Sequence, residues 1–254
     1  MNPWDVLLIA VVSAQALAAS YLFHPKWKAL VFGLPFPFTF AYLAVGQQVN
    51  ILNILSLALM FLFMQAVRGL HVGWRVPIIA AVAASAAGYC LCGYLMAQAV
   101  PIRGELFWIG AAAAFLLALA LLRWMPPREE PGERTALPPW VKVPLTVCLV
   151  TLLVLGKQEL QGFITFFPFV GVFVAYEARR SLWTMGRQNA VVMVTVLPML
   201  AVMRLVFPSL GAGGAVLAGW CAFMPSLLLV TRMRRQGRIA PDMKKPPAES
   251  SAGG

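Results

Sequence analysis

Long runs of apolar residues, separated by short polar segments, recur along almost the whole chain. This pattern predicts nine membrane-spanning helices, at about 4–23, 29–45, 51–67, 76–100, 106–122, 141–155, 160–176, 190–206 and 212–230. A hydrocarbon core roughly 30 Å thick requires about 20 consecutive apolar residues in a helix. Repeated runs of this length predict an all-α integral membrane protein.

The composition agrees with this interpretation and excludes an ordinary soluble domain. Hydrophobic residues make up 61% of the chain, charged residues make up 11%, and the mean hydropathy is +0.80. The formal net charge of +11 would suggest a nucleic-acid partner in a soluble protein, but in a membrane protein basic residues report topology. We therefore expect the lipid bilayer as a partner and no nucleic acid.

With nine spans, the basic residues divide very unequally between the two sides of the membrane. Only Arg103, Lys157 and Arg204 fall on one side, and the other 17 of the 20 lysines and arginines fall on the opposite side. By the positive-inside rule the rich side is cytoplasmic. We expect a multi-pass protein of the prokaryotic plasma (inner) membrane, with the N-terminus outside and the C-terminus cytoplasmic.

Two proline-interrupted apolar segments resemble each other, 32–44 (FGLPFPFTFAYLA) and 163–175 (FITFFPFVGVFVA). Matching residues lie 131 or 136 positions apart: Phe36 and Phe167, Pro37 and Pro168, Tyr89 and Trp220, Asn53 and Asn189, and Arg68 and Arg204. The matches relate the second span to the seventh, the third to the eighth and the fourth to the ninth. Each shift is five spans, and an odd shift turns the second copy upside down.

The predicted architecture is therefore an inverted-topology repeat of four spans, one linking span and four spans, with proline-broken helices 2 and 7. Its parts are a first membrane repeat at 1–100, a linking helix and cytoplasmic linker at 101–139, a second and inverted membrane repeat at 140–231, and a basic cytoplasmic tail at 232–254. The tail has no means of burying apolar surface, so we expect it to be disordered.

Inverted repeats joined at discontinuous helices are a recurring construction of secondary transporters. A proline removes one backbone donor and frees a carbonyl one turn earlier, and lipid cannot satisfy that carbonyl. We expect a substrate-binding site near the membrane midplane at these residues: Pro35, Phe36, Pro37, Phe38, Thr39, Thr165, Phe167, Pro168 and Phe169. A proline kink packed against neighbouring helices is the alternative.

Helix halves that begin at such a break direct free N–H groups and a positive dipole end towards the site, which favours an anionic or zwitterionic solute. Six further residues are candidates for solute entrance or coupling: Lys26, Lys157, Glu159, Glu177, Asn53 and Asn189. Each has a plainer interpretation. The lysines can set topology, the glutamates can form ion pairs and the asparagines can cap helices.

Motifs for chemistry are missing from the sequence. It contains no HExxH motif, no paired intramembrane aspartates, no nucleophile elbow and no phosphate-binding glycine loop. We therefore expect no enzymatic activity, no cofactor and no metal. The predicted function is transport or facilitated passage of a small solute, with a homo-oligomer as a possible assembly. The alternatives are a membrane-embedded scaffold or assembly partner and a lipid-handling protein.

Overall fold

The computed structural model describes residues 3–131, 144, 147–148, 151 and 167–236, and within these residues it contains helices and no strands. The helices are α1 (Pro3–Tyr21), α2 (Pro25–Phe32), α3 (Phe36–Val45), α4 (Ile51–Arg68), α5 (Ile78–Ala99), α6 (Gly104–Trp124), α7 (Phe169–Glu177) and α8 (Leu182–Gln236). A π-helical turn, Gly69–Gly73, extends α4. The predicted sixth span (141–155) lies almost entirely outside the described residues, as do residues 160–166 of the predicted seventh span (160–176) and residues 237–254 of the predicted tail (232–254).

Five helical stretches are long and apolar enough to cross a membrane: Lys26–Val45, Ile51–Gly73, Ile78–Ala99, Gly104–Trp124 and Leu182–Met233. A shorter apolar stretch, Val6–Ala18, lies within α1. The chain is therefore an α-helical, multi-pass membrane protein. The helices α4, α5 and α6 fall close to the predicted third, fourth and fifth spans.

Short polar signals fix the ends of these apolar helices. Gly46 ends α3 in the left-handed conformation (φ 67°), which glycine adopts without the steric cost of a side chain. Asn50 then starts α4, where its side chain accepts from the Leu52 backbone while Asn53 accepts from the Asn50 backbone. This reciprocal capping satisfies N–H groups that the first turn of a helix leaves without partners.

The buried centre of the bundle is formed by α4 and the first part of α8. Helix α4 packs against α5, α6, α7 and α8, whereas α1 packs against α2, α3 and α7. Helices α5 and α6 bury the smallest share of their length and expose large apolar side chains such as Ile79, Ile109 and Leu116. In a membrane protein such faces suit contact with lipid.

Helix α8 is interrupted at Gly211, which has non-helical backbone angles (φ 63°, ψ −171°). An uninterrupted α-helix of 55 residues would be roughly 80 Å long, far more than the hydrocarbon thickness. The break falls between the predicted eighth and ninth spans. We call 182–210 the first arm of α8 and 212–236 its second arm.

The first arm of α8 runs antiparallel to α4. Contacts occur in opposite order along the two segments: Arg68 with Trp183, Gln65 with Gly186, Met60 with Asn189, and Val49 with Arg204. Helices α2 and α7 are also antiparallel, with Lys28 at Glu177 and Phe32 at Gly171. These two antiparallel pairs surround the proline-containing segments.

Two of the prolines stand at the start of a new helix. Pro35 is the N-cap of α3 (φ −82°, ψ 32°) and Pro168 is the N-cap of α7 (φ −74°, ψ 53°). Each carbonyl accepts the first backbone bond of its helix, from Thr39 at 3.0 Å and from Val172 at 2.9 Å. Pro35 and Pro168 thus both stand at an N-cap, whereas Pro37, which the sequence alignment pairs with Pro168, lies in the first turn of α3.

Proline alone does not decide where a helix breaks in this chain. Helix α8 continues through Pro198, Pro208 and Pro225. At the first break, by contrast, Gly33 lies two residues before Pro35, and a residue directly before a proline, here Leu34, is disfavoured in the helical region. A second proline, Pro37, then occupies the first turn of α3, where a missing N–H costs nothing.

Candidate functional site

The candidate site consists of the two proline-capped helix starts, 33–39 and 167–171, and the side chains that contact them. We call it the break site. At the first break, the Gln15 side chain of α1 donates from Nε2 to the carbonyl oxygens of Val31 (2.5 Å) and Leu34 (3.3 Å). The Val31 carbonyl is the group that Pro35 leaves without its usual helical donor. A buried side chain, and not lipid or solvent, therefore satisfies this carbonyl.

Thr39 connects the first break to the second arm of α8. Its hydroxyl donates to the Pro35 carbonyl at 2.9 Å and accepts from the Trp220 indole N–H at 3.0 Å. The Trp220 ring also packs on the Phe36 ring, with centroids 5.1 Å apart. Trp220 thus holds both an apolar and a polar group of the first turn of α3.

At the second break, α7 begins in close contact with α2 and α4. A Cβ added at Gly171 would lie 3.0 Å from the Pro168 side chain and 3.3 Å and 3.5 Å from the rings of Phe32 and Phe63. Glycine is therefore needed for the close approach. Immediately before α7, the buried Phe167 ring meets the Tyr89 ring of α5 edge-on, with centroids 5.2 Å apart.

Two carboxamides of the first arm of α8, those of Gln188 and Asn189, are buried. A Cβ added at Gly33 would lie 2.6 Å from Nε2 of Gln188, so the Gln188 side chain lies directly against the first break. The neighbouring Asn189 is 0% exposed and donates from Nδ2 to the Met60 carbonyl at 3.0 Å. Its Oδ1 is buried without a hydrogen-bond partner in the part of the chain that the structure describes.

The ring contacts at the two breaks are reciprocal under the 131-residue alignment. That alignment pairs Phe36 with Phe167 and Tyr89 with Trp220. Phe36 contacts Trp220, and Phe167 contacts Tyr89. The alignment therefore relates the two ring contacts to each other, although Phe36 is the first residue of α3 and Phe167 lies two residues before α7.

The structure brings most of the described candidate residues to the breaks. Pro35, Phe38, Thr39, Phe167 and Pro168 are buried, Pro37 is half-buried, and Phe36 is exposed on one side while it packs on Trp220. Phe169 is the first residue of α7. Thr165 lies outside the described residues.

The entrance and coupling candidates separate into different environments. Lys26 is exposed, whereas Glu177 is buried and pairs with Lys28, one of the 17 basic residues on the predicted cytoplasmic side. Asn53 belongs to the helix cap of α4, and the buried Asn189 bonds the Met60 carbonyl of α4. Lys157 and Glu159 lie outside the described residues.

The segment after α6 docks on the start of α8. The Glu130 carboxylate accepts from the backbone N–H groups of Trp183 (3.3 Å) and Thr184 (2.7 Å), and the guanidinium groups of Arg128 and Arg68 lie 3.8 Å and 4.6 Å from the Trp183 ring centroid. A carboxylate at a helix N-terminus satisfies free donors and complements the dipole. Residues 125–131, predicted as the start of an exposed linker, therefore include a docked helix cap.

Sequence reasoning missed four residues that organise the site: Gln15, Lys28, Gln188 and Trp220. Gln15 is a polar residue inside the first predicted span, where such residues usually bond to neighbouring helices, and Gln188 lies two residues before the predicted eighth span. That signal could have drawn attention to Gln15, but it does not identify the backbone groups that Gln15 satisfies. Trp220 was found as a member of the repeat, without its contact to Thr39.

The described residues contain no cluster of three or more His, Cys, Asp or Glu side chains that could hold a metal ion. Comparison with protein-family models gives no match, and searches against curated proteins and solved structures give none either. Only the geometry described above therefore bears on the function.

Proposed function

We propose that this protein is a secondary transporter or facilitator of a small anionic or zwitterionic solute, which binds at the break site between two inverted repeats. The observation that carries the proposal is the pair of proline-capped helix starts inside the bundle, joined to their surroundings by reciprocal ring contacts. Discontinuous helices that meet near the midplane are the usual location of transporter substrate sites.

The inverted repeat and its nine spans belong to this proposal. Two copies related by a two-fold axis must make reciprocal contacts, as identical patches do in a symmetric dimer. The Phe36–Trp220 and Phe167–Tyr89 contacts have this relation. Two antiparallel pairs, α2 with α7 and α4 with the first arm of α8, support the opposite orientation of the halves.

The distribution of basic residues supports the proposed sidedness. Arg68, Arg128 and Arg187 meet around the start of α8, where Arg187 donates to the Met125 carbonyl at 2.7 Å. Arg204 lies at the opposite end, where its guanidinium bonds the Val49 carbonyl. We assign the first end to the cytoplasm of a prokaryotic inner membrane, with the C-terminus on the same side.

The polar groups of the broken helices together with Asn189 favour a zwitterionic solute over a simple anion. The first turns of α3 and α7 direct backbone N–H groups and positive dipole ends towards the breaks, and these suit a carboxylate. The Asn189 carboxamide is oriented by its bond to Met60, which leaves Oδ1 as an acceptor for an ammonium or another donor. A solute with both charges uses both kinds of group.

The experiment starts with a thermal-shift screen of the purified protein against amino acids, small carboxylates, inorganic anions and cations. Each stabilising compound is then tested for flux into liposomes. Pro35→Ala and Pro168→Ala should restore helical continuity and sharply reduce flux, because an uninterrupted helix offers no free backbone groups to a solute. Pro198→Ala and Pro225→Ala, within continuous helix, are the matched controls.

Three outcomes would contradict the proposal. Flux that survives both break-site substitutions while the control substitutions abolish it would place the site on other helices. A compound that stabilises the protein but never crosses the membrane would favour a scaffold or lipid-handling role. Cysteine accessibility that puts Arg128 and Gly254 on opposite faces would refute the nine-span topology.

A further inference from the structure

Lys28 is almost completely buried near the start of α2. Its exposure is 1%, although Lys26, two residues earlier, is exposed. Its Nζ donates to the backbone carbonyl of Glu177 at 3.0 Å and lies 4.0 Å from the Glu177 carboxylate. Glu177 is the last residue of α7 and is itself only 4% exposed.

The shorter of these two contacts, from Lys28 Nζ to the Glu177 carbonyl, binds the C-terminal end of α7. The last carbonyls of a helix have no partner within it, and together they carry the negative end of the helix dipole. An ammonium that donates to such a carbonyl gains a charge-assisted hydrogen bond and a favourable dipole interaction. The carboxylate at 4.0 Å is at the limit of an ion pair, so the backbone contact is the stronger attachment.

The contact joins the two helices that flank the breaks. Helix α2 leads into the first break, α7 leads out of the second, and the Phe32–Gly171 contact continues the same antiparallel pair towards the break site. Around this contact Ala29, Ala178 and Leu182 are also buried. This end of the α2–α7 pair is therefore closed in the structure.

We propose that Lys28 is a latch: it holds the C-terminal end of α7 against α2 and closes the cytoplasmic end of the break site until α7 moves away. The interpretation of the Lys28–Glu177 contact as a transport gate rests on the proposed transport function. The 131-residue alignment pairs Lys28 with Glu159 and Glu177 with Gly46, so the Lys28–Glu177 contact has no counterpart at the aligned positions.

The test measures how often the latched end opens. The four native cysteines of the chain are first replaced by alanine: Cys90, Cys92, Cys148 and Cys221. Ala178→Cys then introduces a single thiol, and its rate of labelling by a membrane-impermeant maleimide is measured. Ala178 is 1% exposed beside Glu177, so the thiol reacts only when this end of α7 opens. The variants compared are Lys28→Met, Glu177→Gln and, as the matched control on the same helix, Lys26→Met.

Lys28→Met removes both contacts, so labelling should accelerate roughly tenfold or more, the change expected for one lost charge-assisted hydrogen bond. Glu177→Gln keeps the backbone carbonyl and should accelerate labelling by less than about threefold. Lys26→Met should label like the parent protein. This order of labelling rates distinguishes a hydrogen bond to the helix end, which Glu177→Gln keeps, from a simple ion pair, which Glu177→Gln removes.

Folding is checked by size-exclusion profile and thermal unfolding. Folded Lys28→Met that labels like the parent, Lys26→Met that labels as fast as Lys28→Met, or Glu177→Gln that labels fastest would each overturn the latch. If Lys28→Met does not fold, Lys28→Arg replaces it: retained protection supports the latch, and rapid labelling refutes it. Labelling needs no solute, so failure to find a transported solute would count against the proposed function and leave this result standing.

Discussion

The clearest quantitative consequence of the structure concerns Gln15 and the backbone groups at the first break. In Gln15→Leu, the Leu34 carbonyl loses the Nε2 donor, and the Val31 carbonyl keeps only a longer bond, 3.3 Å from the Leu34 N–H. A buried carbonyl without its partner costs about 1–3 kcal/mol, whereas interhelical bonds in membranes average about 0.6 kcal/mol. We expect a loss of about 1.5 kcal/mol.

A double-mutant cycle with Pro35→Ala tests the reason for this loss. Alanine at position 35 supplies the N–H that proline lacks, and this donor can bond the Val31 carbonyl within a continuous helix. Gln15 is then partly redundant, so Gln15→Leu should cost less in the Pro35→Ala background than in the parent. The coupling should be about 0.5–1.5 kcal/mol.

The assay is reversible unfolding of the purified protein in mixed micelles, which gives a free energy of unfolding for each variant. Gln98→Leu, an exposed glutamine on α5, is the matched control and should change stability by less than about 0.5 kcal/mol. Additive effects of Gln15→Leu and Pro35→Ala would refute the reasoning, because they would show that Gln15 does not replace the donor that Pro35 lacks.

Three further predictions use the same assay. Glu130→Gln should cost about 1 kcal/mol because the α8 N-terminus loses a charged cap, and the exposed Glu129→Gln should cost much less. Gly171→Ala should destabilise by about 1–3 kcal/mol because its Cβ meets tightly packed side chains, whereas Gly88→Ala, with open space around its Cβ, should be neutral or stabilising; equal effects would contradict the packing described. Trp220→Phe keeps an aromatic ring but loses the indole donor and should cost about 1 kcal/mol; an unchanged free energy of unfolding would contradict this hydrogen bond.

The sequence determined the membrane character and much of the helix order. Length and hydrophobicity are sufficient for this, because lipid accepts only segments that satisfy their own backbone groups. Local signals also fixed several ends: Gly46 ends α3 in a left-handed conformation and Asn50 caps α4. The position of the first helix break followed from the glycine and two prolines close together in the chain.

The choice among prolines needed the tertiary structure. Pro35 and Pro168 begin new helices, whereas α8 continues through Pro198 and Pro225. All four lack the same backbone donor, so the missing donor alone does not decide which proline ends a helix. At the first break Gly33 and Pro37 act together with the Gln15 side chain, which satisfies the carbonyls there. This side chain belongs to another helix, α1.

The roles of charged residues also depended on the fold. Lys26 and Lys28 are equivalent in hydropathy and in the count of basic residues, yet one is exposed and the other is buried against Glu177. Two positions along a helix correspond to a rotation of about 200°, so one side chain faces outwards when the other faces a neighbouring helix. Which neighbour lies there is decided by the packing of α2 against α7, a contact between residues 149 positions apart in the chain.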